Sequence, residues 1–117
     1  MSYNPREMLS EFLTGMKRAE KTNSAEVKAF LDLLGSTYIP STLDTKTKEL
    51  ISVAIAAYNR CEYCIVFHVY KALEAGANRQ EIMDGAMVAV AFGGGPSMAY
   101  ISALLIKSID EFEGDFR

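Results

Sequence analysis

The sequence predicts an all-α fold, a compact bundle of about six helices that spans residues 1–117 as a single domain. Apolar residues recur every three or four positions along most of the chain, which is the spacing of one helix face. No stretch sustains the apolar–polar alternation of a half-buried strand. The chain shows no internal repeat, low-complexity tract or linker, and its length is usual for one domain.

The first two predicted helices occupy the N-terminal third of the chain. The first runs from about Pro5 to Glu20, because proline suits the first position of a helix. Its apolar stripe consists of Met8, Phe12, Leu13 and Met16. The second starts at Asn23, which forms a capping-box pattern with Glu26, and it stops before Pro40. Its apolar stripe consists of Val27, Phe30, Leu31 and Leu34.

The third and fourth predicted helices are joined by a short turn. The third follows Asp44, a good N-cap residue, and carries the apolar run 50–58. Asn59 and Arg60 form the predicted turn. The fourth helix opens around Cys61 and ends near Gly76, because glycine commonly follows the last residue of a helix.

The fifth and sixth predicted helices are separated by a glycine-rich break. The fifth starts at Asn78, with Glu81 three residues later, and ends at Gly93. The sixth starts near Pro96. Its apolar residues are Met98, Ile101, Leu104, Leu105 and Ile109.

The last four helices are apolar on nearly every face, which predicts that the protein is a homo-oligomer. A helix that is apolar all round is buried on all sides. A chain of 117 residues has too much surface for its volume to bury four such helices. Part of this apolar surface is therefore expected to lie between subunits.

Charge and composition exclude several functional classes. The formal net charge is −3 and no basic run is present, so we expect neither nucleic acid nor a membrane surface as a partner. The uncharged stretch between Asp84 and Lys107 is long enough to span a bilayer. However, the glycines and proline within residues 93–97 favour two buried helices with a break. The N-terminus is polar, so the expected compartment is the cytoplasm.

Both cysteines and the only histidine lie within eight residues, in the pattern Cys61-x-x-Cys64-x-x-x-His68. On a helix these three side chains share one face near the N-terminal end, where backbone N–H groups and the helix dipole stabilise a thiolate. A nearby imidazole can accept the thiol proton. A second thiol three residues away can trap a sulfenic acid as a disulfide. The spacing therefore favours thiol redox chemistry.

Three other interpretations of the motif remain open. A structural zinc site needs a fourth ligand, which only Glu49 or Glu62 could supply. A thioredoxin fold would place the CxxC motif after a strand, and the helical pattern disfavours it. The two cysteines could also be small buried apolar residues beside a core histidine.

Glu49, twelve residues before the first cysteine, completes a pattern that resembles the alkylhydroperoxidase D group of the carboxymuconolactone decarboxylase-like family. The residues around Glu49 (47–51), those after the motif (72–77) and Glu81 with Ile82 fit as well. The resemblance covers roughly residues 28 to 110, which is most of the chain.

The resemblance implies an all-α fold, a trimer or hexamer, and thiol peroxidase or disulfide reductase activity. Cys64 matches the peroxidatic cysteine and Cys61 its resolving partner, so the product would be a Cys61–Cys64 disulfide. Glu49 and His68 match the proton relay, and the role of Glu49 depends mainly on the resemblance. A hydroperoxide would be the substrate and an external dithiol the reductant. No metal or other cofactor is expected.

One residue departs from the family pattern. Some peroxidases of this group have a second histidine just before the second cysteine, where this chain has Tyr63. Tyrosine does not titrate near neutral pH, so the relay would be shorter by one group. Two alternatives to a peroxidase are a decarboxylase-type lyase acting on a lactone acid, and a non-enzymatic redox-sensing or zinc-binding oligomer.

Overall fold

The computed structural model describes residues 2–117, and the described chain is helical without strands. The helices are α1 (Pro5–Glu20), α2 (Ser24–Tyr38), α3 (Thr45–Asn59), α4 (Glu62–Glu74) and α5 (Arg79–Tyr100). A π-helical turn, Ile101–Leu105, joins α5 to α6 (Ile106–Phe112), and a 3₁₀ turn, Glu113–Phe116, follows. The predicted all-α fold is confirmed.

Local capping chemistry sets the start of two helices at the predicted residues. The side chain of Asp44 accepts a hydrogen bond from the backbone N–H of Thr47 at 2.8 Å, which begins α3. Asn78 and Glu81 form a reciprocal capping box at the start of α5. These bonds satisfy donors that would otherwise lack partners at a helix end.

The second helix departs most from its sequence-based description. Asn23 makes no capping hydrogen bond, and its side-chain amide instead donates to Glu26 at 2.9 Å, so the predicted capping box is wrong. None of the residues of α2 is buried. The predicted stripe is therefore not a core face within this chain, because α2 contacts mainly α1 and makes few contacts with α3.

The hydrophobic core lies where α3, α4 and α5 pack together, with α6 and part of α1 closing it. Its fully buried large side chains come from five segments and include Val53, Ile65, Val66, Val69, Ile82, Ile101, Leu104, Leu105, Ile109 and Phe112. This packing holds α3 and α4 rigidly side by side, and these two helices carry the cysteines, the histidine and Glu49.

The predicted break between the fifth and sixth helices is confined to one residue. Gly94 has φ 64° and ψ −144°, whereas helical residues continue on both sides of it. That backbone conformation is accessible essentially to glycine alone. Pro96 lies inside the helix that resumes after Gly94, and Ser97 next to it is buried. The C-terminal third is thus a rod of two helices that meet at a kink at Gly94, within the break that the sequence predicts.

This rod, Arg79–Phe116, is long and apolar enough to cross a membrane by length and composition. Such a single segment is weak support for a membrane span, because core helices of soluble proteins have the same composition. Here the rod supplies Ile82, Ala86, Ile101 and Phe112 to the core.

Candidate functional site

The turn between α3 and α4 places both cysteines at the start of α4. Arg60 adopts the left-handed conformation with φ 55° and caps α3. The backbone N–H of Cys61 donates to the carbonyl of Ala56 at 3.1 Å, which closes the turn. This confirms the turn predicted at Asn59 and Arg60, and such a short connection makes α3 and α4 antiparallel neighbours.

Cys61 is the N-cap residue of α4 and forms a disulfide with Cys64. Its Sγ atom also accepts a hydrogen bond from the backbone N–H of Cys64, with an N–S distance of 3.3 Å. Both cysteines are only partly buried. After reduction, the same N–H group and the positive end of the helix dipole would stabilise a thiolate here.

Glu49 and His68 form a pair one helical turn beyond the disulfide. The Nδ1 atom of His68 lies 2.8 Å from Oε1 of Glu49. The Glu49 side chain is 2% exposed and that of His68 is 16% exposed. When Glu49 is ionised, Nδ1–H of a neutral imidazole donates to it, and Nε2 remains a proton acceptor. This geometry matches the carboxylate–histidine arrangement that fixes an imidazole tautomer.

The helical hairpin explains why Glu49 meets His68 and not Cys61 directly. Glu49 lies near the start of α3 and His68 lies well inside α4. In an antiparallel hairpin, residues at similar distances from the turn face one another. The sequence alone did not bring Glu49 close to the cysteines, and the structure places it next to His68.

The aromatic rings of Tyr38 and Phe67, which the sequence did not single out, also lie beside His68. The Tyr38 ring lies 5.8 Å from the imidazole, centroid to centroid, at an interplanar angle of 30°. The Tyr38 hydroxyl is hydrogen-bonded to Ser52. The centroids of the Phe67 and His68 rings are 5.1 Å apart, and the ring planes are inclined by 79°. One signal for Ser52 was available in the sequence, because it follows Glu49 by three residues on the same helix face.

Tyr63, the residue just before the second cysteine, interacts with α1. Its hydroxyl donates to Oε2 of Glu11 at 2.9 Å. This hydrogen bond to the carboxylate raises the pKa of the Tyr63 phenol above its usual value. Tyr63 therefore remains a neutral donor near physiological pH and links α4 to α1.

A structural zinc site would require several side chains that can bind the metal to lie close together. Among residues 2–117, no three or more His, Cys, Asp or Glu side chains are grouped so that they could hold a metal ion. In this structure both sulfur atoms are joined in the disulfide, and the Glu49 carboxylate faces His68.

The fold and site together define an all-helical protein with a CxxC disulfide at a helix N-terminus and a buried Glu–His pair behind it. The sequence model of the carboxymuconolactone decarboxylase family matches residues 25–107. The chain belongs to the carboxymuconolactone decarboxylase family, as the motif predicted.

Relatives and solved structures agree with this assignment. "Uncharacterized protein 4 in cox locus" of Paracoccus denitrificans is 36% identical over 86 residues, which cover 74% of this chain and 77% of that protein. An uncharacterized protein of Cupriavidus necator is 32% identical over 81 residues, which cover 69% of this chain and 72% of that protein.

Two solved structures share the fold. Apo-lpg0406, a carboxymuconolactone decarboxylase family protein of Legionella pneumophila, superposes with a TM-score of 0.88 at 29% identity, covering 93% of this chain and 96% of that one. TM1620 of Thermotoga maritima superposes with a TM-score of 0.74 at 28% identity, covering 84% of this chain and 90% of that one.

Proposed function

We propose that this protein is a thiol-dependent peroxidase that reduces hydroperoxides through Cys64 and Cys61. The observation that carries the proposal is the buried Glu49–His68 pair, one turn beyond a disulfide at the N-terminus of α4. A proton acceptor and a helix N-terminus are the two features that turn a thiol into a reactive thiolate.

The proposed reaction starts from the reduced protein. Nε2 of His68 takes the proton of the Cys64 thiol, and the Glu49 carboxylate stabilises the resulting imidazolium through Nδ1–H. The thiolate attacks the terminal oxygen of a hydroperoxide and breaks the O–O bond. Cys64 becomes a sulfenic acid, and the leaving alkoxide receives the proton from His68 and departs as an alcohol.

Cys61 resolves the sulfenic acid. Its thiol attacks the Cys64 sulfur, a disulfide forms, and water leaves. An external dithiol then reduces the disulfide by two exchange steps and is itself oxidised to a disulfide. The scheme needs the peroxide and the dithiol as its reactants, and we place it in the cytoplasm, where dithiol reductants are maintained.

A decarboxylase-type lyase is the second candidate, because the matching family bears that activity in its name. Such a reaction would need cationic groups to bind the carboxylate of a lactone acid. The described groups in contact with His68 are instead a carboxylate and two aromatic rings, and the cysteine pair lies one helical turn earlier in the chain. The peroxidase proposal uses the carboxylate, the imidazole and the cysteine pair, whereas the lyase proposal leaves the cysteines without a role.

We also propose that the protein assembles with further copies of itself, as a trimer or hexamer. The helix α2 has no buried residue, and Phe30, Leu31 and Leu33 are exposed on it. A second apolar surface, the α3–α5 groove, encloses about 220 Å³ between Ala54, Ile55, Tyr58, Val88, Ala89 and Phe92. Large apolar surfaces of this kind are typical of subunit contacts.

The mass of the intact protein tests the peroxidase proposal. The protein is reduced, freed of metal, and measured before and after one equivalent of a hydroperoxide. We expect the wild type to lose two hydrogens and Cys61→Ser to gain one oxygen, while Cys64→Ser gains none.

The same variants distinguish the competing functions. Catalytic turnover of hydroperoxide with a dithiol should vanish in Cys64→Ser, whereas Cys61→Ser should complete one oxidation and then stop. Equal residual turnover in the two variants would contradict the assigned roles. An unchanged wild-type mass, together with stoichiometric bound zinc, would instead support a non-enzymatic metal-binding oligomer.

A further inference from the structure

We infer that Tyr38, the last residue of α2, is a positioning residue for His68, whose imidazole it supports and whose protonated form its ring stabilises. The inference rests on the proposed function, because it assigns Tyr38 to the transfer of the Cys64 proton to His68. Neither the CxxC motif nor the Glu49–His68 pair indicates this role.

The first argument is the geometry of the two rings. Their centroids are 5.8 Å apart and their planes are inclined by 30°, so the Tyr38 ring packs beside the imidazole in a tilted arrangement. This distance lies within the attractive range of about 4.5–7 Å for aromatic pairs. It is also within the roughly 6 Å at which a cation is attracted to the face of a ring. Tyr38 therefore favours the imidazolium over the neutral imidazole.

The second argument is that the Tyr38 ring is anchored. Ser52 Oγ donates to the carbonyl of Lys48 at 2.9 Å, which uses the hydroxyl hydrogen of the serine. The Tyr38 hydroxyl is therefore the donor in its hydrogen bond to Ser52. Because Ser52 and Glu49 lie on the same helix, α3 holds the imidazole directly through Nδ1 and indirectly through the neighbouring Tyr38 ring.

The third argument is that α2 is held to the site at this residue. Tyr38 is half-buried, although α2 has no buried residue, and its carbonyl accepts a hydrogen bond from Thr45 Oγ1 at 2.8 Å. The groups that the structure places against His68 are thus Glu49 from α3, Tyr38 from α2 and Phe67 from α4 itself.

Tyr38 itself stays neutral while this proton moves. Burial raises the pKa of its phenol above the usual value, and the negative charge of Glu49 acts in the same direction. The phenol hydrogen therefore remains available for the bond to Ser52 at every pH at which the imidazole and the thiol exchange a proton.

The test measures the alkylation rate of Cys64 by iodoacetamide in the reduced protein, as a function of pH. Trypsin cleaves after Arg60 and Lys71, and fragmentation of peptide 61–71 separates the label on Cys64 from that on Cys61. Near pH 7 we expect Tyr38→Leu to slow Cys64 alkylation about fivefold. Near pH 10 the difference should disappear, because a thiol then ionises without assistance.

Two further variants separate positioning from a general structural effect. Tyr38→Phe keeps the ring and should stay within about twofold of the wild type. Ser52→Ala removes only the hydrogen bond that anchors the Tyr38 ring. It should slow Cys64 alkylation by more than Tyr38→Phe and by less than Tyr38→Leu. Thr37→Ala, a neighbouring substitution on the exposed side of α2, is the matched control and should leave the profile unchanged.

Two results would overturn the inference. One is a Tyr38→Leu profile that coincides with that of the wild type. The other is a loss in Tyr38→Phe as large as that in Tyr38→Leu. If circular dichroism shows that Tyr38→Leu does not fold, a wild-type profile for Ser52→Ala is the contradicting result. The assay contains no peroxide, so a protein that fails to reduce hydroperoxides can still show the predicted role of Tyr38.

Discussion

Glu49 is the side chain whose environment differs most from that of an ordinary helical glutamate. Among residues 2–117 the buried polar side chains are Glu49, Ser97 and Ser108, and of these only Glu49 can ionise. A buried carboxylate costs about several kcal/mol unless it is paired and hydrogen-bonded. His68 provides that partner, so each of the two side chains depends on the other for its position.

Glu49→Gln should slow the reaction of the Cys64 thiol with hydroperoxide about 100-fold near neutral pH. The glutamine carbonyl can still accept from Nδ1–H, but it carries no charge to stabilise the imidazolium, so less thiolate forms. Stopped-flow measurement of a single oxidation, repeated as the pH is raised, should show the rate recovering toward the wild-type value.

Glu74→Gln is the matched control for this substitution, because Glu74 lies at the other end of α4 and pairs only with exposed Lys71. It should leave the rate unchanged. If the Glu49→Gln rate did not recover at high pH, Glu49 would not act through thiolate formation.

Short-range side-chain hydrogen bonds determine the residues at which individual helices begin, and the sequence predicted most of these residues. The capping residues Asp44 and Asn78 start α3 and α5 as expected, because each bond involves a residue three positions away. Asn23 fails as a cap although its sequence context is similar, because its amide is bound to Glu26 instead. Local patterns thus indicate helix starts, but they do not decide between competing side-chain hydrogen bonds.

Gly94→Ala should destabilise the protein by about 1–3 kcal/mol, because φ 64° with ψ −144° is strained for any residue with a Cβ atom. The free energy of unfolding, measured by chemical denaturation, checks this. Gly95→Ala is the matched control, since a Cβ atom at Gly95 would meet no atom within 4 Å and its φ is negative. Equal stabilities for the two variants would show that the kink at Gly94 is not required.

At the scale of the whole molecule, the apolar residues divide into a core and an unpartnered surface. Residues of α3, α4 and α5 fill the core, yet Ile55 and Phe92 from two of the same helices are 55% and 79% exposed. We expect this division because the last four predicted helices are apolar on nearly every face. It is also the basis for proposing assembly with further copies.

Phe92→Glu should shift the protein from an oligomer to smaller species, because it places a charge in the α3–α5 groove. Light scattering coupled to size-exclusion chromatography measures the molar mass. Thr14→Glu adds the same charge at an exposed position of α1 and should leave the mass unchanged. A wild type that is monomeric at every concentration would refute the assembly proposal, and an oligomeric Phe92→Glu would exclude this groove as the contact.

The sequence by itself determined the helical class, the family and the placement of Cys61, Cys64 and His68 on one helical segment. These features depend on residues within about one or two helical turns of each other. Over that range, the spacing of residues along the chain determines which side chains share a helix face. The tertiary structure decided the Glu49–His68 contact, the approach of Tyr38 and the exposure of α2. Those outcomes depend on how α2, α3 and α4 pack, and no local pattern specifies which side chains meet across helices that are distant along the chain.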